Sequence, residues 1–307
     1  MFIVNFMKRK TKYCIICFIF IGLLGYLLYG WYAYNHSYNL YYSNTSEIIS
    51  ECKGIIESAS TQEKENCKSI LENEELYIYK KPNFFVMIYS IITENLNALN
   101  IILFLVVVGL SIYWINSVLK NKCLMNYYMR ESNKSFLKRI FKESYSWFWV
   151  VPLAIVILII CCIMSSSFEL YQGIENNVIW NLTTLQNPWL FIIVFIVRIC
   201  LYFLFYINVA LLLSRKHRSY FTSLFSSFLV VVVLQLFYEI VLDKLYGIFG
   251  YKWLLYLNFM DIFNINDTYG LMSSLLFPSI IYVITLILVL ISYKNKEKLL
   301  LDVETES

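Results

Sequence analysis

The chain has 307 residues, of which 59% belong to the apolar set AVILMFWYC and 15% are charged, and its net charge is +4. Soluble domains average about 45–50% apolar and about 25% charged residues, so a soluble core cannot hold this apolar excess. The composition therefore indicates a membrane protein, and it excludes collagen-like, disordered, disulfide-scaffold and nucleic-acid-binding proteins.

Six apolar segments are long enough to cross a membrane, which takes about 20 helical residues at about 1.5 Å of rise each. We therefore expect an all-α polytopic membrane protein with six transmembrane helices. The predicted spans are residues 13–34, 99–119, 147–166, 188–214, 221–242 and 271–292. The predicted regions are a basic amphipathic N-terminus (1–12), the first span (13–34), an external helical hairpin (35–83), an interfacial segment with the second span (84–119), a cytoplasmic amphipathic loop (120–146), the other four spans (147–292) and a cytoplasmic tail (293–307).

The basic residues predict which side of the membrane each loop faces, because short cytoplasmic loops retain Lys and Arg during insertion. Most of the 25 basic residues precede the first span, follow the sixth, or lie in the second-to-third and fourth-to-fifth loops. We therefore expect both termini to face the cytoplasm.

The external segment after the first span contains two helix-start patterns. Asn44 precedes Glu47 by three residues, and Ser60 precedes Glu63 by the same spacing. At this spacing an N-cap side chain and an acidic side chain satisfy each other's backbone N–H groups. The pattern predicts two short helices that start at these caps and meet at a turn next to Ser60.

Two cysteines of the external segment are candidates for a disulfide. Cys52 and Cys67 lie nearly equidistant from the predicted turn, so an antiparallel hairpin would place them opposite each other. A disulfide there would close a loop and contribute about 3 kcal/mol of stability. Two free thiols are the alternative, favoured if this segment faces the reducing cytoplasm.

The sequence contains no recognisable catalytic or cofactor-binding motif. Its two histidines, His36 and His217, lie on opposite predicted sides of the membrane, so they cannot form one metal site. HExxH, GxSxG and the phosphate-binding pattern GxxxxGK[ST] do not occur. We therefore expect no enzyme activity, no catalytic or metal site and no bound cofactor, and any ATP hydrolysis would belong to another polypeptide.

Arg198 lies about ten residues into the fourth predicted span, where an unpaired cation costs about 2.5–3.5 kcal/mol. We expect its side chain to face protein or water. Glu239, near the outer end of the fifth span, and Glu94, just before the second, are its candidate partners. Three interpretations stay open: a charge that lines a pathway, a structural ion pair between helices, or a side chain that extends to the membrane surface.

The inner loop over residues 130–146 predicts an amphipathic helix, because apolar and basic side chains recur at helical spacing on different faces. The apolar members are Phe136, Leu137, Ile140, Phe141 and Tyr145, and the basic members are Lys134, Lys138, Arg139 and Lys142. Such a helix either docks a cytoplasmic partner or lies against anionic lipid headgroups.

The complete layout resembles the permease subunit of an ABC-type exporter of the type 2 class, in the divergent form found in low-GC Gram-positive bacteria. The resemblance rests on the basic N-terminus, the external segment, the basic inner loop and the six spans. Local sequence adds to it at residues 208–218 (NVALLLSRKHR), 256–267 (YLNFMDIFNIND) and 293–300 (YKNKEKLL). The acidic residue and glycine that often open the inner loop in this class are not recognisable at residues 130–133.

The resemblance implies a multi-pass protein of the bacterial plasma membrane that moves a substrate along a subunit interface. Its implied partners are a cytoplasmic ABC ATPase subunit, a second copy or a homologous permease, and membrane lipid, with no nucleic acid. ATP would close the nucleotide subunits and thereby rock the spans. The residues implied to dock the ATPase are Phe136, Leu137, Lys138, Arg139, Ile140 and Phe141.

A different class of function is the alternative. The external hairpin and the scarcity of polar residues in the spans are also typical of a non-transporting membrane protein. Such a protein would serve in immunity, sensing or signal relay, with the hairpin binding a ligand or partner.

Overall fold

The computed structural model describes residues 2–55, 81–91, 98–120, 132–168, 188–217, 219–249, 259 and 271–294. Within these ranges the chain is helical apart from short connections, and its only strand-like pairing is an isolated bridge between Asn83 and Ser167. The all-α class predicted from the sequence is therefore confirmed.

Nine α-helices, numbered here in chain order, make up the described chain. They are α1 (Phe2–Ile55), α2 (Phe84–Ser90), α3 (Leu99–Lys120), α4 (Asn133–Ser144), α5 (Val150–Ser165), α6 (Pro188–Lys216), α7 (Tyr220–Phe237), α8 (Asp243–Phe249) and α9 (Leu276–Lys294). A turn of 3₁₀-helix over Tyr145–Trp147 follows α4, and another over Leu271–Leu275 precedes α9. A turn of π-helix over Tyr238–Leu242 joins α7 to α8.

Proline marks helix starts throughout the chain. Pro188 is the first residue of α6, while Pro152 and Pro278 are the third residues of α5 and α9. Pro82 precedes Asn83, whose side chain caps α2 by accepting hydrogen bonds from the backbone N–H groups of the second and third helical residues. A missing N–H costs little in a first turn, so Pro152, Pro188 and Pro278 do not break their helices, and Pro82 lies outside α2.

Five helical stretches of the described chain are long and apolar enough to cross a membrane. They are Cys17–Gly54, Asn133–Ser165, Ile192–Lys216, Tyr220–Val241 and Leu276–Lys294. The predicted second span coincides with α3, of which the apolar stretch Leu99–Tyr113 is too short to count by the same measure. The protein is thus an all-α polytopic membrane protein, and the number of six spans stays a prediction.

Helix α7 has the polarity expected of a helix in lipid. Its buried face carries Ser223, Ser227 and Gln235, whereas Phe221 and Phe225 are 76% and 66% exposed. A helix in water shows the reverse pattern, with apolar side chains inside. Large apolar side chains on the outside are stable here because hydrocarbon is their solvent, while the serines let helices approach closely.

The helix start predicted at Asn44 is wrong, because α1 continues through this residue as one helix of 54 residues. At about 1.5 Å per residue α1 is about 80 Å long, well beyond the thickness of a bilayer. It contains no proline, and its hydroxyl side chains bond backward into the helix: Thr45 donates to the carbonyl of Tyr41 at 2.6 Å. Such a bond lets a capping residue type lie inside a helix. The second predicted start, Ser60, lies outside the described residues.

The described chain divides into two compact units. The first contains Met1–Asn97 and Val156–Trp180, and therefore α1, α2 and most of α5. Within it the bridge residues hold α2 in place, since the Phe84 N–H donates to the Ser167 carbonyl at 2.8 Å. The Trp31 indole N–H donates to the Ser165 hydroxyl at 2.9 Å, which joins α1 to α5. Every described side chain of α2 is buried.

The second unit contains Ala98–Ile155 and Asn181–Ser307. Helix α6 is its centre and packs against α3, α7 and α9. Three of its aromatic side chains are fully buried, with Tyr202 and Phe203 at 0% exposure and Tyr206 at 1%. The second unit therefore has a core of aromatic side chains from one central helix.

Candidate functional site

The predicted amphipathic helix of the inner loop is present as α4. It begins after Ser132, whose hydroxyl caps the helix by accepting from the Ser135 N–H at 3.2 Å. Phe136 and Ile140 are buried at 1% and 0% exposure, one helical turn apart. The exposed basic side chains are Lys134, Lys138 and Lys142, also one turn apart from each other. At about 100° per residue, the basic and buried rows lie on opposite faces of α4.

The buried face of α4 packs on protein. Its neighbours in the second unit are α3 and α9. Of the six residues implied to dock an ATPase, Phe136 and Ile140 are therefore part of the chain's own core. Leu137, Arg139 and Phe141 are half-buried, and Lys138 is exposed.

The turn after α4 is tied to the centre of the second unit by a polar chain. The Tyr145 hydroxyl donates to the Asn208 carboxamide oxygen, and the Asn208 amide donates to the Thr285 hydroxyl at 3.2 Å. Tyr145 also stacks on Phe141 of α4, with ring centroids 5.6 Å apart. Asn208 is fully buried in α6, and Thr285 lies in α9. Three elements distant in sequence therefore meet through two hydrogen bonds.

A second polar cluster joins α3, α6 and the start of α7. The Asn116 amide donates to the Ser214 hydroxyl at 3.3 Å, and the Ser223 hydroxyl donates to the Asn116 oxygen at 3.2 Å. All three side chains are at most 4% exposed. Because buried polar groups cost free energy unless they are paired, this arrangement favours one register among the three helices.

The ends of α6 and α9 are fastened to each other next to these clusters. The Arg215 guanidinium donates to the carbonyl and the hydroxyl of Ser292, the latter at 3.1 Å. The Tyr293 hydroxyl donates to the Leu211 carbonyl at 2.8 Å. With α4 packed on α9, a displacement of α4 would act on α6 through α9 as well as through Tyr145.

Arg198 is 3% exposed, and its guanidinium carbon lies 5.6 Å from the centroid of the Tyr202 ring. A cation over an aromatic face is attracted by the ring quadrupole. Its predicted partner Glu239 is exposed and accepts a hydrogen bond from the Gln235 amide at 3.0 Å. The other predicted partner, Glu94, lies outside the described residues. The ion pair of Arg198 therefore stays a prediction.

The structure describes one of the two cysteines of the predicted external segment. Cys52 is 4% exposed and is not one of the free cysteines, which in the described chain are Cys17, Cys161, Cys162 and Cys200. Its predicted partner, Cys67, lies outside the described residues. Among the residues that the structure describes, no group of three or more His, Cys, Asp or Glu side chains is placed to hold a metal ion.

The sequence pattern does not single out the two amides at the centre of these clusters, Asn116 and Asn208. Each lies in a mostly apolar helix, and polar side chains at membrane depth are rare and mark helix interfaces or functional sites. That signal could have identified them. Their partners Ser214 and Tyr145 could not be paired with them from sequence, since 98 and 63 positions separate the bonded residues.

Comparison with family models, with curated proteins and with solved structures finds no match to this chain.

Proposed function

We propose that this protein is the membrane-spanning permease subunit of an ABC-type exporter of the type 2 class. The observation that carries the proposal is the set of contacts that connect α4 to the spans. One face of this helix packs on α3 and α9, the turn after it is hydrogen-bonded to α6 through Tyr145 and Asn208, and its opposite face is basic. A force that a cytoplasmic partner exerts on α4 would therefore be transmitted to α3, α6 and α9.

A cytoplasmic protein is the partner that best fits the basic face of α4. A helix bound to lipid buries its apolar face in the headgroup region. Here Phe136 and Ile140 are buried in the chain itself, so that face is not available to lipid. Lys134, Lys138 and Lys142 form a row of exposed positive charges on the opposite face of α4. This row is electrostatically complementary to an acidic groove on a partner protein.

In this proposal the chain hydrolyses no ATP. A separate cytoplasmic ATPase subunit binds the basic row and closes with ATP, and α4 transmits the movement to α3, α6 and α9. Transport requires a second copy or a homologous permease, because the substrate passes along the interface of two subunits. The exposed apolar side chains of the spans face membrane lipid or that second subunit.

Charge reversal along the basic row tests the proposed ATPase site. The change K134E/K138E/K142E should lower ATP hydrolysis in the affinity-purified preparation about tenfold or more, because it turns electrostatic attraction into repulsion. The measurement is ATP hydrolysis per mole of purified chain, with the co-purified nucleotide-binding protein quantified by mass spectrometry. K134R/K138R/K142R is the matched control, since it keeps the charge, and it should retain the activity.

The possible outcomes distinguish the proposed ATPase docking site on α4 from the proposed permease function. Full activity in the Glu variant would place ATPase docking elsewhere on the chain and leave the permease proposal standing. If the unmodified chain purifies without any ATPase, in detergent that preserves such pairs, the permease proposal fails. A non-transporting role in immunity, sensing or signal relay then becomes the better explanation.

We further propose that the chain lies in a bacterial plasma membrane with α4 inside and the C-terminal end of α1 outside. The basic loops support this orientation. The sulfur of Cys52 is not a free thiol, and it lies on a buried row of α1 with Thr45 and Ile49. These features support a Cys52–Cys67 disulfide, which forms only on the oxidising side.

A membrane-impermeant lysine reagent tests this orientation on intact cells. Lys53 is exposed and should be modified, whereas Lys138 should react only after permeabilisation. Peptide mass spectrometry measures both sites in one sample, so Lys138 in permeabilised cells is the internal control for reactivity. Modification of Lys138 but not Lys53 in intact cells would reverse the orientation and remove the proposed ATPase site from the cytoplasm.

A further inference from the structure

The backbone of Phe259 is held by side chains from two different helices. The Tyr206 hydroxyl of α6 donates to the Phe259 carbonyl at 2.5 Å, and the Phe259 N–H donates to the Gln235 side-chain oxygen of α7 at 2.9 Å. Both polar groups of one residue are therefore bound by side chains. This is how a protein recognises an amide main chain, with one acceptor for the N–H and one donor for the carbonyl.

The ring of Phe259 is held as specifically as its backbone. It packs edge-on against Phe277 at 5.3 Å between centroids and lies 6.1 Å from Phe205 in a tilted arrangement. Aromatic pairs prefer tilted and edge-to-face contacts at these separations. Phe205 belongs to α6 and Phe277 to α9, and with Gln235 of α7 three helices of the second unit contact Phe259.

The fourth predicted span, residues 188–214, places this contact inside the membrane. Tyr206 is about 15 Å along α6 from its Lys216 end at about 1.5 Å per residue, near the middle of a bilayer about 30 Å thick. Backbone that is not helical occurs at such depth only where protein or a water-filled cavity satisfies its polar groups. Tyr206 and Gln235 supply the partners for Phe259.

The two polar side chains are built into the core and are not incidental surface groups. Tyr206 is 1% exposed and Gln235 is 8% exposed. Gln235 also donates its amide to Glu239 at 3.0 Å. This second partner orients the Gln235 oxygen toward the Phe259 N–H.

We propose that Tyr206 and Gln235, with Phe205 and Phe277, form an intramembrane binding site for a peptide unit with an aromatic side chain. In this structure Phe259 is the internal ligand of the site. An external peptide with an aromatic residue presents the same N–H, carbonyl and ring as Phe259. The peptide and Phe259 therefore compete for the site, and the peptide binds only when Phe259 has left it. The binding site does not depend on the proposed function; its assignment to the transported substrate does, and that assignment makes the substrate class a peptide with aromatic residues.

Photolabelling of the purified full chain in lipid nanodiscs tests the site. The probe is N-acetyl-phenylalanine N-methylamide with a diazirine on its ring, which reproduces the groups that Phe259 presents. F259A should incorporate about tenfold more probe into α6, α7 and α9 than the unmodified chain, because the competing Phe259 ring is gone. A tenfold change corresponds to about 1.4 kcal/mol of binding free energy. Peptide mass spectrometry locates the label, and F225A, which removes an exposed ring of α7, should label like the unmodified chain.

Two further comparisons test the chemistry of recognition. The double variant F259A/Q235L should return to the labelling of the unmodified chain, and the same probe methylated on its phenylalanine nitrogen should not label F259A, because either change removes the N–H bond to Gln235. If F259A is not monodisperse, F259L replaces it with the same expectation at about threefold, since the smaller change removes less of the aromatic contact.

Equal labelling of the unmodified chain and the Phe259 variant would overturn the site, as would labelling that is unaffected by Q235L or by probe methylation. No ATPase takes part in this measurement. A failure here therefore leaves the permease proposal untouched, and a failure of ATPase co-purification leaves the binding site untouched.

Discussion

Replacing Tyr206 with alanine is expected to destabilise the second unit by about 3–5 kcal/mol, the range for removing a large side chain from a packed core. Tyr206 is 1% exposed and contacts Phe104, Phe203 and Phe205, so the change leaves a cavity at the centre of α6. It also removes the partner of the Phe259 carbonyl, and a polar group without a partner at membrane depth adds to the cost. The measurement is the temperature at which half of the detergent-solubilised protein leaves the monodisperse peak.

Two control variants separate the causes of this effect. Y206F keeps the ring and removes only the hydroxyl that donates to the Phe259 carbonyl, so it should cost about 1–3 kcal/mol, the range for leaving one buried acceptor without its partner. Y29A removes a tyrosine of α1 that is 61% exposed and should shift the midpoint little. Equal midpoints for Y206A and Y29A would mean that α6 is not the packed centre of the second unit.

Replacing Ile140 with aspartate is expected to detach α4 from the second unit. Ile140 is 0% exposed, and a carboxylate placed there has no cationic partner on the buried face of α4. Burying an unpaired charge costs several kcal/mol, about the loss measured when a buried ion pair loses one partner. The variant should therefore either fail to accumulate or expose α4 to limited proteolysis at the bonds after Lys138 and Lys142.

The matched control places the same residue on the opposite face of the same helix. Ser135 is exposed in the first turn of α4, where a negative charge interacts favourably with the helix dipole. S135D should therefore accumulate and resist proteolysis like the unmodified chain. In the proposed function I140D should also lose ATPase binding although its three lysines are intact. An I140D chain that is as stable and as protease-resistant as S135D would contradict the packing of α4 on α3 and α9.

The spans and the inner helix were predictable from sequence because each depends on one short segment. A run of apolar residues must be helical in hydrocarbon whatever surrounds it, since lipid offers its backbone no partners. This is why the predicted spans coincide with α3, α5, α6, α7 and α9. The amphipathic spacing of Phe136 and Ile140 likewise predicts a helix before any neighbour is known.

The end of α1 could not be predicted in the same way. Asn44 and Glu47 have the spacing of a helix start, but the same residue types are compatible with a helix interior when their side chains bond to the preceding turn or point to solvent. Which of the two occurs depends on packing along the helix. In α1 the buried row of Tyr42, Thr45 and Ile49 continues without interruption past Asn44.

Membrane residence, helix positions and the basic face of α4 follow from the order of residues, because hydropathy and helical periodicity act within about one segment length. The contacts between Tyr145 and Asn208 and between Phe259 and the pair Tyr206 and Gln235 do not. Each joins residues tens of positions apart. A hydrogen bond forms only when the packing of the helices sets the donor–acceptor distance to within a few tenths of an ångström. Only the packing of α6 against α3, α7 and α9 brings those groups together.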